Sequence, residues 1–438
     1  MVKQQLIRGA IHHFPKATRH FARDLQSFND GALVIENGKI VAVGHFSELN
    51  AQYPAATIKD YRGYLVLPGL IDTHLHFPQT EIIAKYGEQL LTWLDNFTFP
   101  AEGQFSDPAL CARMADIFLN ECLKNGTTTG LVFSSVHKAS AEALFEAAAA
   151  RNMLTVAGKV CMDRHCPDWL QDTPSSAQRD SADLIDRYHG KGRNYYALTP
   201  RFAPTSSSAQ MAALGELAQQ YDDVFIQTHL SENHDEIAWV KTLYPECEDY
   251  LAVYEKYHMV RPRAVYGHCI HLSDDEWQRM ADRGAVAAFC PTSNLFLGSG
   301  LFEMAKADQF NVPVTLATDV GGGTSFNLLK TLGEAYKICQ LRQYKLSALQ
   351  GFYMLTQGAA HSLGLSDKIG NFNVGSDADF VVLNPRFDPL TKLRVKDDSS
   401  CEDALFALTM LGDDRATVAT WVAGHPQYQQ QEHADAVA

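Results

Sequence analysis

The chain opens with short apolar runs of β character, separated by turns, up to about residue 63. Ala32-Leu-Val-Ile-Glu and Lys39-Ile-Val-Ala-Val-Gly44 flank Asn37-Gly38, a two-residue pair suited to a tight reverse turn, so this stretch reads as a hairpin. From Tyr64 the rhythm changes. Compact apolar runs at 65–76, 127–133, 154–160, 195–202, 224–230, 264–269, 285–290 and 314–320 read as buried strands. Between them lie stretches with the apolar period of an amphipathic helix, among them 107–124, 139–150, 207–220, 234–243 and 274–283. After about residue 368 β character returns, with Gly370 to Leu383 and 419–424 as its clearest pieces.

Eight strands alternating with helices over about 300 residues predict an α/β chain whose centre is a (β/α)8 barrel of the TIM type. A doubly wound sheet would call for a glycine-rich phosphate loop after the first strand, and that stretch carries none. The β-rich ends predict a small β-sandwich domain built from both chain termini. Its expected extent is residues 1–66 plus 369–438, around a barrel at 67–368. The tail from Gln427, rich in Gln and Ala, reads as frayed.

Composition adds little to the fold but narrows the function. Of 438 residues, 46% are hydrophobic and 20% charged, the balance of an ordinary globular protein. A net charge of −14 argues against nucleic acid or an anionic membrane as partner. Nine cysteines without a repeated spacing read as reduced thiols. No apolar run approaches membrane-spanning length and residues 1–8 lack a signal-peptide core, so the expected address is the cytoplasm, with no membrane partner.

The candidate chemistry gathers where strands are expected to end, which in a barrel is where active sites form. His74 and His76 alternate at the end of the first strand and so face one side. The fifth strand ends in Gln227-Thr-His-Leu-Ser-Glu232, the sixth in Tyr266-Gly-His268 and the eighth in Thr318-Asp319. Three imidazoles, of His74, His76 and His229, with the carboxylate of Asp319 suit one Zn²⁺ per chain with a position left for water, whose pKa the ion lowers. Glu232, three residues past His229, is the expected proton shuttle, and Asp319 and His268 the groups that hold the water. Each has a plainer reading. A buried histidine is more often a satisfied core residue, an aspartate after a strand is often a helix N-cap, and Glu232 can be a first-turn acid of the next helix. Their joint occurrence in barrel order favours the metal site.

Other chemistries find no support. His-x-Glu with Pro-Cys-x-x-Cys is absent, as are His-Glu-x-x-His, a Gly-x-Ser-x-Gly around Ser299, and a lysine after Gly321-Gly-Gly323. Cys161 and Cys166 flank His165 without a partner pair and read as free thiols.

Pro68-Gly-Leu-Ile-Asp-Thr-His-Leu-His76 and Gly375-Ser-Asp-Ala-Asp-Phe-Val-Val382 resemble motifs of the amidohydrolase superfamily. Asp72 to Gln79, Thr199 to Thr205, Thr228 to Asn233 and Phe289 to Leu295 resemble, more narrowly, its guanine-deaminating branch. The resemblance runs from about Gly31 to Gly424. It implies zinc on His74, His76, His229 and Asp319, with Glu232, Asp319 and His268 as catalytic groups. It implies a small purine substrate contacting His76, Phe77, Pro78, Gln79, Arg201, Phe202, His229, Leu230, Ser231, Glu232 and Asp319. The implied reaction is hydrolysis of guanine to xanthine and ammonia, in an enzyme expected to be a homodimer. The guanidinium of Arg201 offers a planar donor fork for paired acceptors such as O6 and N7. A lysine ends the fourth strand in two-metal members; here Arg201 stands there, and Lys159 belongs to strand three, so one metal is expected. An aminohydrolase of 8-oxoguanine, a pterin, a triazine or cytosine is the nearest alternative, and a non-catalytic scaffold the remote one. Residues 81–103, with Trp93 and Phe97, are a candidate lid whose aromatics can equally be core.

Overall fold

The computed structural model describes residues 4–86 and 89–431. Strands β1 (Gln5–His13), β2 (Gln26–Glu36), β3 (Lys39–His45) and β4 (Thr57–Pro68) come first. The β2–β3 turn takes positive φ at both Asn37 and Gly38, as the Asn-Gly pair requires. The barrel follows as β5 (Leu70–His76), β6 (Thr127–Phe133), β7 (Leu154–Gly158), β8 (Val160–Cys161), β9 (Asn194–Pro200), β10 (Phe225–Leu230), β11 (Ala264–His268), β12 (Val286–Phe289) and β13 (Val314–Leu316). The chain then returns as β14 (Phe380–Leu383), β15 (Thr417–Val422) and β16 (His425–Gln429).

The apolar run at 65–76 is not one strand. It divides at Gly69, with β4 in the terminal sheet and β5 in the barrel. The cause is steric: a Cβ at Gly69 would lie 2.0 Å from Thr128 Oγ1, and its amide turns to donate to Asp379 O at 3.0 Å. Hydropathy alone is blind to such a break.

In the barrel sheet, parallel strands run in the order β5-β6-β7-β9-β10-β11-β12-β13, with β8 extending past β7 to pair with β9. Beyond β13, Asp319 N donates to His74 O at 2.9 Å and His76 N to Val320 O at 2.6 Å, bringing the last strand's exit against the first strand. Thr73 and Thr315 hydroxyls meet at 2.8 Å lower in the same seam. The helices Pro108–Lys124, Lys138–Ala150, Ser208–Gln220, His234–Leu243 and Asp274–Arg283 lie where the apolar period places them. Asp107 and Ser207 stand just outside as N-caps, each accepting a backbone N–H from the first turn.

The termini form one seven-stranded sheet, β16-β15-β14-β4-β1-β2-β3, antiparallel except at β1–β4. Ile7, Leu33 and Ile35 share a core with Phe380, Val382 and Trp421, and Ala378 N donates to Gly38 O at 2.8 Å. The sheet therefore curls so that its two ends enclose a common layer. The fraying expected from Gln427 does not begin there, since β16 pairs with β15 as far as Gln429; residues 432–438 of that tail lie outside the described residues. The helix Cys401–Leu411 lies between β14 and β15, and its Leu405 and Leu408 join the barrel-side cluster that holds Leu329 and Leu332.

Candidate active site

Three elements bring the candidate ligands together. His74 and His76 sit on β5, His229 on β10, and Asp319 in the turn after β13, with donor atoms all within 4.8 Å of one another. The eighth strand ends at Leu316, earlier than its apolar run suggests, and Asp319 takes a positive φ in the turn beyond. His74 Nε2 lies 3.3 Å and His76 Nε2 3.4 Å from Asp319 Oδ1, and His229 Nε2 lies 3.2 Å from His76 Nε2. Gly267 makes room for this: a Cβ there would sit 2.7 Å from His74 Cε1.

Burial pushes the imidazoles of His74, His76 and His229 down, His76 to about 3, so each is neutral with a lone pair to offer. Burial opposes ionisation of Asp319, yet the close approach of the His74 and His76 rings, with further attraction from His268, holds its carboxyl well below the usual range. His229 Nδ1–H donates to Arg201 O at 2.6 Å, which turns Nε2 to the cluster. Both ring nitrogens of His74 and Nδ1 of His76 are buried without a hydrogen-bond partner. Unpartnered buried nitrogens beside an ionised carboxylate are costly on their own, and three N donors with one O donor fit a divalent ion of the zinc kind. Asp72 clamps the assembly: Oδ1 accepts from Thr318 N at 3.1 Å and His74 N at 3.4 Å, and Oδ2 from the Thr318 hydroxyl at 2.5 Å. Lys159 is elsewhere, buried in an ion pair with Asp172.

Glu232 faces the cluster, 2% exposed. Its Oε1 accepts from Ser299 Oγ at 2.8 Å and its Oε2 lies 3.3 Å from His268 Nε2. Burial, then the charge of Asp319, pushes this carboxyl up to about 8. His268 Nδ1 lies 2.8 Å from Asn294 Oδ1, and its Nε2 is 3.8 Å from Asp319 Oδ2, so the ring bridges the two carboxylates. Glu232 is not a first-turn acid of the next helix. Asn233 is the N-cap there, and Glu236 Oε2 completes the capping box while accepting the Glu232 amide at 2.9 Å.

Above the cluster opens a pocket whose lining mixes polar and aromatic side chains. His76, Gln79, Arg201, Phe202, His229, Glu232 and Asp319 line it. Four expected contacts do not. Phe77 turns into the core against Phe105, with ring centroids 5.0 Å apart, and Pro78 starts a 3-10 turn beside it. Leu230 packs in the apolar cluster that holds Leu198 and Tyr254, and Ser231 serves through its carbonyl, which accepts from Ile270 N and His271 N. Leu230 alternates with His229 on its strand, whereas Phe77 and Pro78 belong to a 3-10 turn and Ser231 lies past the strand with a positive φ, distinctions that a contiguous motif conceals.

Leu90, Trp93, Leu94 and Thr98, all within 81–103, line the pocket too, so this segment covers the site; Gly87 and Glu88 lie outside the described residues. Ser299, Asn294, Glu236 and Glu102 went unseen in the sequence. Asn294 stood inside the Phe289–Leu295 motif, whereas Glu102 had no local signal. Its carboxylate, fully buried, accepts from Arg201 Nη1 with both oxygens at 2.8 Å and from Gln79 Nε2 at 2.8 Å. Cys161 and Cys166 are free, their thiols pushed up to about 12 by burial.

Comparison with known proteins gives a consistent answer. The model of the amidohydrolase family matches residues 65–426, and a bacterial imidazolonepropionase-like composite domain matches 31–56. The chain is 49% identical to the guanine deaminase of Escherichia coli K12 over 93% of each chain. The solved structure of E. coli guanine deaminase superposes with a TM-score of 0.95 at 48% identity, covering 97% of this chain and 100% of that one. A guanine deaminase from C. acetobutylicum with bound guanine in the active site superposes at 0.88 with 30% identity, covering 97% and 100%.

Proposed function

The chain belongs to the amidohydrolase family, and from that premise we propose that its barrel mouth hydrolyses guanine to xanthine and ammonia. One juxtaposition carries this reading. Glu232, a carboxyl that burial and the charge of Asp319 push up, lies between the His/Asp cluster and a pocket also lined by the polar groups of Gln79 and Arg201. The similarity to guanine deaminases across nearly the whole chain supports guanine as the substrate.

His74, His76, His229 and Asp319 would hold one divalent ion, which we take to be Zn²⁺. Such an ion acidifies water and so supplies hydroxide near neutral pH. With Lys159 engaged by Asp172 outside the cluster, a single ion is the assignment. The chain's own groups handle the protons. Glu232, carrying the proton that the water has lost, gives it to ring N3 as the hydroxide oxygen adds to C2. It then takes the proton of the new hydroxyl and passes it to the amino nitrogen, which leaves as ammonia. Ser299 and His268 hold the two oxygens of that carboxyl apart, one on each side. Phe202, Trp93 and Leu94 offer apolar faces to a planar ring and displace water from it. Arg201 presents donors to the O6 edge.

The test is ammonia release by the zinc-loaded protein from guanine, 8-oxoguanine, adenine, cytosine and a pterin. Turnover of guanine well above the rest is expected. Preference for another member would overturn the substrate, and no release from any would overturn hydrolytic deamination.

A further inference from the structure

Arg201 and Gln79 reach the pocket from different parts of the barrel, one after β9 and one after β5, and both are buried. Glu102 joins them. Both of its oxygens accept from Arg201 Nη1 at 2.8 Å, and Oε1 also accepts from Gln79 Nε2 at 2.8 Å. The second contact has a directional consequence. A carboxylate only accepts, and the Gly321 amide, 3.4 Å from Gln79 Oε1, only donates, so the Gln79 side chain cannot flip without losing both partners. The carbonyl oxygen and the remaining N–H of Gln79 are thereby assigned to definite positions. The guanidinium is held by one terminal nitrogen, which leaves its other donors aimed by the same anchor.

Glu102 is itself rigidly placed. Its backbone carbonyl accepts from Ser135 Oγ at 2.9 Å, the Phe99 ring centroid lies 5.8 Å from Arg201 Cζ, and a Cβ on Gly103 would meet the Trp169 ring at 2.1 Å. It stands on the short helix Phe99–Gly103, the end of the segment that covers the pocket. A fully buried charge with three accepted hydrogen bonds, none to the metal cluster, is not explained by the hydrolytic chemistry.

We propose that Glu102 is the specificity-positioning residue of this site: it locks Arg201 and Gln79 into one donor–acceptor template for the 6-oxo edge of the substrate. This rests on the guanine reading above, since the template is argued for that edge. Discrimination then depends on a residue that touches its readers and sits behind them.

The experiment compares guanine with 2-aminopurine, which carries the same 2-amino group and lacks the 6-oxo group, in the zinc-loaded wild type, Glu102→Gln and Glu102→Asp. In Glu102→Gln, kcat/KM for guanine should fall by about 100-fold, chiefly through KM, while 2-aminopurine changes by less than about threefold, because only the oxo edge loses its template. Zinc content stays at the wild-type level. Glu102→Asp keeps the acceptor charge and should recover part of the preference. Equal losses for both substrates, or a loss confined to kcat, would make Glu102 a packing residue and overturn the proposal. If Glu102→Gln does not fold, Glu102→Asp decides alone: a lowered guanine preference at constant 2-aminopurine turnover supports the proposal, and an unchanged preference overturns it. A wild type that turns over 2-aminopurine or another amine but not guanine would overturn the guanine reading itself, a failure visible before any variant is made.

Discussion

Glu232 and Asp319 are two carboxyls in one buried site, and their surroundings push them in opposite directions. Asp319 is held well below the usual carboxylate range by the rings beside it, whereas for Glu232 burial and the charge of Asp319 outweigh the Ser299 hydroxyl and the attraction of Arg201. That split is the one the proposed roles of ligand and proton carrier require. Glu232→Gln keeps the shape and the Ser299 contact and removes the exchangeable proton. We expect kcat on guanine to fall by about a thousandfold while zinc content by elemental analysis stays at the wild-type level. Retained turnover would strip Glu232 of its role. The residue scale is also where the sequence reading was sharpest. His74, His76, His229 and Asp319 were each visible at the end of an apolar run, while Phe77, Pro78, Leu230 and Ser231 were carried along by adjacency.

Among the elements, β1 carries a pH-dependent tie between the terminal sheet and the returning chain. His13 Nδ1 accepts from Phe372 N at 3.1 Å, and Nε2 lies 2.7 Å from Gln26 Oε1, an arrangement only the neutral ring with its proton on Nε2 satisfies. Its neighbour His12 lies 2.9 Å from Ser27 Oγ through Nδ1. Burial pushes both down to about 4, against an ordinary value near 6.5. Between those limits the unfolded chain binds more protons than the folded one. Stability is therefore complete above about pH 6.5 and declines as pH falls towards 4, by up to about 1.4 kcal/mol per pH unit for each histidine. His13→Asn places an amide oxygen near the Nδ1 position and does not titrate. Its melting temperature should fall less steeply than that of the wild type between about pH 7 and pH 5; parallel slopes would show that His13 is not a source of acid sensitivity. The helix elements were legible because their apolar period and their N-caps are local. The split of 65–76 at Gly69 was not, because its cause, Thr128, lies on the neighbouring strand.

For the whole molecule, the candidate ligands span the chain from His74 to Asp319, so an ion held by them would tie the first, fifth and last barrel strands into one unit. Stripping it with a chelator should lower the melting temperature by roughly several degrees, and added Zn²⁺ should restore it, because a ligand bound only by the folded state stabilises that state. Melting unchanged by full metal removal would show that the cluster is not an ion site. Alternation of apolar strands with amphipathic helices, His-x-His at a strand end and the β-rich termini were enough to read from the sequence the barrel, its terminal sheet and the four side chains that cluster at the barrel mouth. These are short-range signals, with periods of two and 3.6 residues that survive in any context compatible with folding. Tertiary structure alone decided which side chains stand behind the reactive ones. Ser299 meets Glu232 across 67 positions and Glu102 meets Arg201 across 99. Buried polar groups must find partners wherever the fold brings them, and no local pattern records who those partners are.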